Sequence, residues 1–157
     1  MNNISSRVPE DINLEVIQNQ IGNIEEIIRP VVSNYIPVGA SELKAYFDEE
    51  APSGDTTTLS DILENKWLLI HELIELSELK NSGFTITASL LRTHSLEVEY
   101  AHITATEYEL KFAFEGNDIE WINSRLENVK YWSNDDLLPH ELRLRCDELI
   151  LKYSESG

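Results

Sequence analysis

Trp67-Leu-Leu-Ile-His-Glu-Leu-Ile-Glu-Leu-Ser-Glu-Leu79 decides the fold class. Successive residues of an α-helix turn by about 100°. On that wheel Trp67, Leu68, Leu69, Ile70, Leu73, Ile74, Leu76 and Leu79 cover most of the circumference. A helix that is apolar nearly all round is a buried helix, so this segment is expected at the centre of a helical core. Three polar residues, His71, Glu75 and Glu78, interrupt it in one narrow sector flanked by Trp67, Leu68 and Ile74. Glu72 falls apart from them, between Leu68, Leu76 and Leu79.

Outward from this segment the helical pattern continues. The spacing predicts one helix over 59–81, capped by Thr58 or Ser60, with Gly83 at its exit. The β-branched stretch 84–91 reads as a short extended segment or a helical turn. A second long helix is expected over 95–115 with Gly116 as its stop. A further helix, capped by Asn117 or Asp118, carries Ile119, Ile122, Leu126 and Val129. A last one has Pro139 in its first turn and Leu142, Cys146, Leu149, Ile150 and Tyr153 on one side. Before the central segment, Leu14, Ile17, Ile21, Ile24, Ile28, Val31 and Tyr35 recur at alternating threes and fours. That is the seam of a coiled coil or bundle helix beginning near Glu10. Pro30 is expected to kink or end that helix, and Ser41 to cap a short helix running to Glu49. Residues 1–9 read as a frayed start and 50–58 as the main surface loop. The expectation is an all-α, antiparallel bundle of five or six helices forming a single domain over 1–157.

Composition narrows the function. With 29 acidic against 12 basic residues, the net charge is −17. Such a chain repels phosphate backbones and anionic lipid, so neither nucleic acid nor membrane is an expected partner. No apolar run approaches a membrane span, and the start of the chain has no apolar signal core. The one cysteine, Cys146, forms no internal disulfide and lies on an apolar helix face, so it reads as core filler in a cytoplasmic protein. Phosphate-binding glycine loops, nucleophile elbows and clustered cysteines are absent from the sequence. His94 reads as a helix-start residue and His140 as a surface residue.

One constellation can carry chemistry. His71 and Glu75 are one turn apart. On the next long helix Glu99 and His102 share a face on adjacent turns, with Glu109 two turns beyond His102 and Glu107 pointing elsewhere. If the two helices pack together, His71, Glu75, Glu99, His102 and Glu109 are candidate ligands for a divalent transition metal, and Glu72 is a spare carboxylate for general-base work. The same residues equally suit a hydrogen-bonded network that fixes helix register, or a solvated stripe. Glu-x-x-His spacing resembles that of ferritin-like di-iron bundles, which use two such pairs where this chain has one. His-Glu-x-x-Glu departs from the zinc-protease pattern in its last ligand.

The stretches Trp67–Gly83 (WLLIHELIELSELKNSG) and Tyr100–Ala113 (YAHITATEYELKFA), with Gly116-Asn-Asp118 and Arg125, resemble a group of short archaeal all-helical proteins. No activity is assigned to that group. The resemblance implies a small helical protein, transfers no catalytic residue, and directs attention to His71, Glu72, Glu75, His102, Glu107 and Glu109. Two functions are therefore expected. The first is a protein–protein interaction role, as a homodimer or with another partner, through the Leu14–Tyr35 seam. The alternative is a metalloprotein, a small-substrate hydrolase among the options, with its site between two core helices.

Overall fold

Polar side chains set the helix starts in the first half of the chain. The structure, a computed structural model, describes residues 13–47 and 58–154. The expected frayed start and most of the expected surface loop lie outside the described residues. Asn13 caps α1 (Leu14–Ile28), its Oδ1 accepting from the backbone N–H groups of Glu15 and Val16 at 3.0 and 3.3 Å. Pro30 ends this helix, since its ring clashes with the carbonyl one turn back, and Val31 and Tyr35 of the expected seam fall beyond it. α2 (Ala40–Phe47) begins one residue before Ser41, which therefore lies inside the helix and does not cap it. Its start is held instead by Gln18 Oε1, which accepts from Ala40 N at 2.8 Å, and by Glu42 Oε1, which accepts from Gly39 N at 2.9 Å.

The expected helix over 59–81 is two helices, α3 (Leu59–Leu63) and α4 (Lys66–Asn81). Thr58 and Asp61 form a reciprocal capping box at the start of α3. The break falls at Asn65, whose backbone is extended and whose Oδ1 accepts from Leu68 N at 3.1 Å. Asparagine competes for backbone hydrogen bonds inside a helix and satisfies them at a cap. At the far end Gly83, at φ 95°, gives its N–H to Lys80 O, while Phe84 N reaches Leu79 O. This pair of bonds is a Schellman exit.

The stretch after it stays irregular until the single turn of α5 (Leu90–Thr93). α6 (Ser95–Glu115) spans the expected range. Its left-handed exit residue, however, is Asn117 (φ 58°) rather than Gly116. Asn117 N bonds Phe114 O and Asp118 N bonds Ala113 O. Asp118 then caps α7 (Ile119–Ser133) through Trp121 N at 3.0 Å. α8 (His140–Tyr153) follows with Pro139 at the cap position, one residue earlier than expected. The fold is all-α, and the described residues form eight helices where five or six were expected. The difference is the break at Asn65 and the single turn of α5.

The chain divides into two compact units, Met1–His102 and Ile103–Gly157. The dividing point lies inside α6, so no proline, glycine or polar linker marks it in the sequence, which reads as one domain. In the first unit α1, α2 and α3 each pack on α4. α4 buries Leu69, Ile70, Leu73, Ile74, Leu76 and Leu79 together with His71, Glu75 and Ser77, as its all-round apolar pattern requires. On α1 the buried positions are Ile17, Ile21, Glu25 and Ile28. Leu14 is exposed and Ile24 half-buried, so a glutamate takes a core place. Glu25 Oε2 accepts from the Tyr35 hydroxyl at 2.7 Å and from Val38 N at 2.9 Å. Burial, and then the neighbouring Glu25 carboxylate, push the Tyr35 hydroxyl far above its usual pKa. Ser77 Oγ accepts from Ile36 N at 2.8 Å, tying the segment after α1 to α4.

In the second unit α7 packs on α8, burying Ile122, Leu126 and Val129 of the one and Leu142, Cys146, Leu149 and Tyr153 of the other. Cys146 is core filler: burial, with Asp147 beside it, pushes its thiol up to about 11. Among the described residues no helix is long and apolar enough to cross a membrane.

Candidate metal centre

Three helices of the first unit converge on one point. α4 presents His71 and Glu75 from successive turns, as helical spacing dictates. α6 presents His102, and α2 presents Tyr46. His71 Nε2 lies 3.1 Å from Glu75 Oε1 and 3.1 Å from His102 Nδ1, and His102 Nδ1 lies 3.2 Å from Glu75 Oε1. The three donor atoms form a nearly equilateral triangle. The two imidazoles meet edge to face, with ring centres 4.8 Å apart. On the far side of the carboxylate, the Tyr46 hydroxyl donates a hydrogen bond to Glu75 Oε2.

The triangle has the dimensions of a coordination face. Tetrahedral bonds of ~2.05 Å place ligand atoms ~3.3 Å apart, and octahedral bonds of ~2.2 Å place them ~3.1 Å apart. A divalent ion held by these three atoms would keep further coordination positions for water or substrate. The side chains of His71 and Glu75 are 2% and 5% exposed, whereas that of His102 is 35% exposed, so solvent reaches the cluster along the His102 side.

Electrostatics favour an ionised Glu75. Burial alone raises its pKa, but the hydrogen bonds and charge of His102 and His71 outweigh burial and hold it well below the usual carboxylate range. Glu75 Oε1 only accepts hydrogen bonds, so at least one imidazole nitrogen must donate to it when no cation is present. The two nitrogens also face each other, which leaves three electron-rich atoms around one point and few protons to share among them.

Of the residues expected at a site, the structure gathers His71, Glu75 and His102, whose ligand atoms all lie within 4.8 Å of one another. Glu99 is half-buried and is not in this group. Glu109 is engaged elsewhere: fully buried in the second unit, its Oε2 accepts from Trp121 Nε1 at 2.7 Å and Arg125 Nε at 2.8 Å. It lies seven residues beyond His102, or ~10.5 Å along the helix, too far to share an ion. Glu72, read from the wheel as lying apart, is brought nearer by its side chain, which puts Oε2 4.0 Å from His71 Nε2. Glu107 pairs with Arg145 of α8, at 2.9 and 3.1 Å. His94 and His140 are exposed. Tyr46 was not anticipated. The available signal was that a buried tyrosine needs a partner for its hydroxyl, and that a carboxylate on an apolar helix needs donors.

Fold and site thus define an all-α protein with a cluster of two histidines and one glutamate, buried but for the half-buried His102. Compared with protein-family models, curated proteins and solved structures, the chain matches none.

Proposed function

We propose that this is a helical metalloprotein that holds a divalent transition-metal ion through His71 Nε2, Glu75 Oε1 and His102 Nδ1. The convergence of these three atoms to within 3.1–3.2 Å of one another carries the reading. Two imidazoles and one carboxylate suit zinc, iron, manganese or nickel, whereas calcium and magnesium prefer all-oxygen sites. Three protein ligands leave open positions, as catalytic sites require and structural zinc sites do not. At such a position the ion supplies an activated water or polarises a bound substrate. Glu72, beside His71 but outside the ligand triangle, is the carboxylate positioned to take a proton, which makes hydrolysis of a small substrate the favoured reaction class. A cytoplasmic location suits the lone, buried Cys146.

The test is metal content per chain by elemental mass spectrometry, on protein purified without chelator or metal-binding tag. Near-stoichiometric metal that is lost in His71→Ala and in His102→Ala is expected. A wild-type chain that stays empty after soaking in zinc, manganese and iron would sink the proposal.

A second reading, association with another protein or a second copy, draws on α8, where Leu144 and Leu151 are exposed two turns apart, 50% and 72%. Light scattering checks its homodimer form. A monomer whose mass is unchanged by Leu144→Glu with Leu151→Glu would remove it.

A further inference from the structure

The chemistry of Glu75 divides between its two oxygens. Oε1 faces the histidines, and Oε2 accepts the hydroxyl of Tyr46. Tyr46 is held firmly: it is 6% exposed on α2, with its ring edge-on to Phe47 at 5.9 Å between centres. A free glutamate carboxylate beside a divalent ion can bind through one oxygen or chelate through both, and chelation consumes a coordination position. A hydroxyl bonded to Oε2 directs that oxygen away from the ion and fixes the rotation of the carboxylate. Outer partners of this kind orient metal ligands.

We propose that Tyr46 is the positioning residue of this centre, holding Glu75 to binding through Oε1 alone and thereby keeping a coordination position open for a water or substrate. This rests on the metalloprotein reading above. The geometry supports it in a second way: α2 supplies no member of the ligand triangle, yet it places its only phenol hydroxyl on the single ligand able to chelate.

The test uses the full chain loaded with Co(II), whose visible spectrum reports coordination number. In Tyr46→Phe, which keeps the ring and removes the hydroxyl, affinity for Co(II) is expected to fall roughly 10- to 100-fold. The visible bands are expected to weaken and shift as Glu75 chelates and the coordination number rises. Leu43→Ala, a buried position on the same helix, is the control for packing. It should lower the melting temperature and leave the Co(II) spectrum unchanged. If wild type takes up Co(II) through His71 and His102, and Tyr46→Phe matches it in affinity and spectrum, the positioning role is overturned while the metal site stands. If wild type takes up no Co(II), the metalloprotein reading itself falls. A second measurement needs no variant: the Co(II)-minus-apo infrared difference spectrum of wild type with 13C-glutamate. A wide splitting of the carboxylate stretches, the mark of one-oxygen binding, is expected; the narrow splitting of a chelate would overturn the proposal.

Discussion

Replacing Arg125 by alanine should destabilise the second unit by about 3 kcal/mol, the low end of the ~3–5 kcal/mol seen when one partner of a buried ion pair is removed. Glu109 is fully buried and the Arg125 side chain is only 13% exposed, with Nε 2.8 Å from Oε2. Removing the guanidinium leaves a carboxylate in a core whose solvation it has lost. The low end applies because Trp121 Nε1 still donates to the same oxygen at 2.7 Å. Neutralising the other partner instead, in Glu109→Gln, should cost less, about 1–2 kcal/mol, since an amide oxygen still accepts from the indole and the charge left without its counter-ion, on Arg125, keeps a share of solvent where Glu109 has none. Urea unfolding followed by near-ultraviolet circular dichroism reads both variants, Trp121 being among the signal's sources. The diagnostic result is the order. If Arg125→Ala costs less than Glu109→Gln, or less than about 1 kcal/mol, the pair behaves as a surface contact and the argument from burial is wrong.

Other perturbations follow from single features. Gly83→Ala should cost about 1–2 kcal/mol in a thermal melt, from backbone strain alone, since φ is 95° and a Cβ would meet nothing within 4 Å. Tyr35→Phe should cost about 1–2 kcal/mol by losing the hydroxyl that donates to buried Glu25; an unchanged midpoint would show that bond to be idle. Cys146 has its thiol raised to about 11 from an ordinary 9.0, so the folded state holds the proton more tightly. Its contribution to stability is full below pH 9.0 and declines between pH 9.0 and about 11, as the unfolded thiol ionises first. Cys146→Ser removes this alkaline loss, and iodoacetamide should label wild type at pH 8 only at the rate at which the unit opens.

Helical periodicity made most of the architecture legible. The all-round apolar pattern of 67–79 placed α4 in a core, and the range of α6 and a cap at Asn117 or Asp118 were readable from spacing and cap chemistry, the structure choosing Asp118. What escaped involved short polar side chains acting locally or partners distant in sequence. Asn65 breaks a helix that the apolar pattern on either side would have continued, because one side-chain oxygen replaces a missing backbone acceptor. Asn117, not Gly116, takes the left-handed turn, since asparagine tolerates that region. Glu25 enters the core because Tyr35 and Val38, across a turn, satisfy it. At the site, His71, Glu75 and His102 were readable as ligand types one turn apart or on a neighbouring helix. Tyr46 was not, because α2 meets α4 only in the fold. Glu109 was misplaced for the same reason, its partners Trp121 and Arg125 belonging to a helix that face-sharing along α6 does not disclose.

The polar stripe on α4 also bears on how this protein can change. His71 and Glu75 occupy positions that leucine would fill with more apolar burial and no desolvated charge. A lineage drifting toward thermal robustness alone would convert them readily, and a redesign guided by stability alone would favour the same exchange. Retention of both residues in a hardened variant therefore has to be imposed by a screen for what the cluster does, because selection for folding pulls the other way.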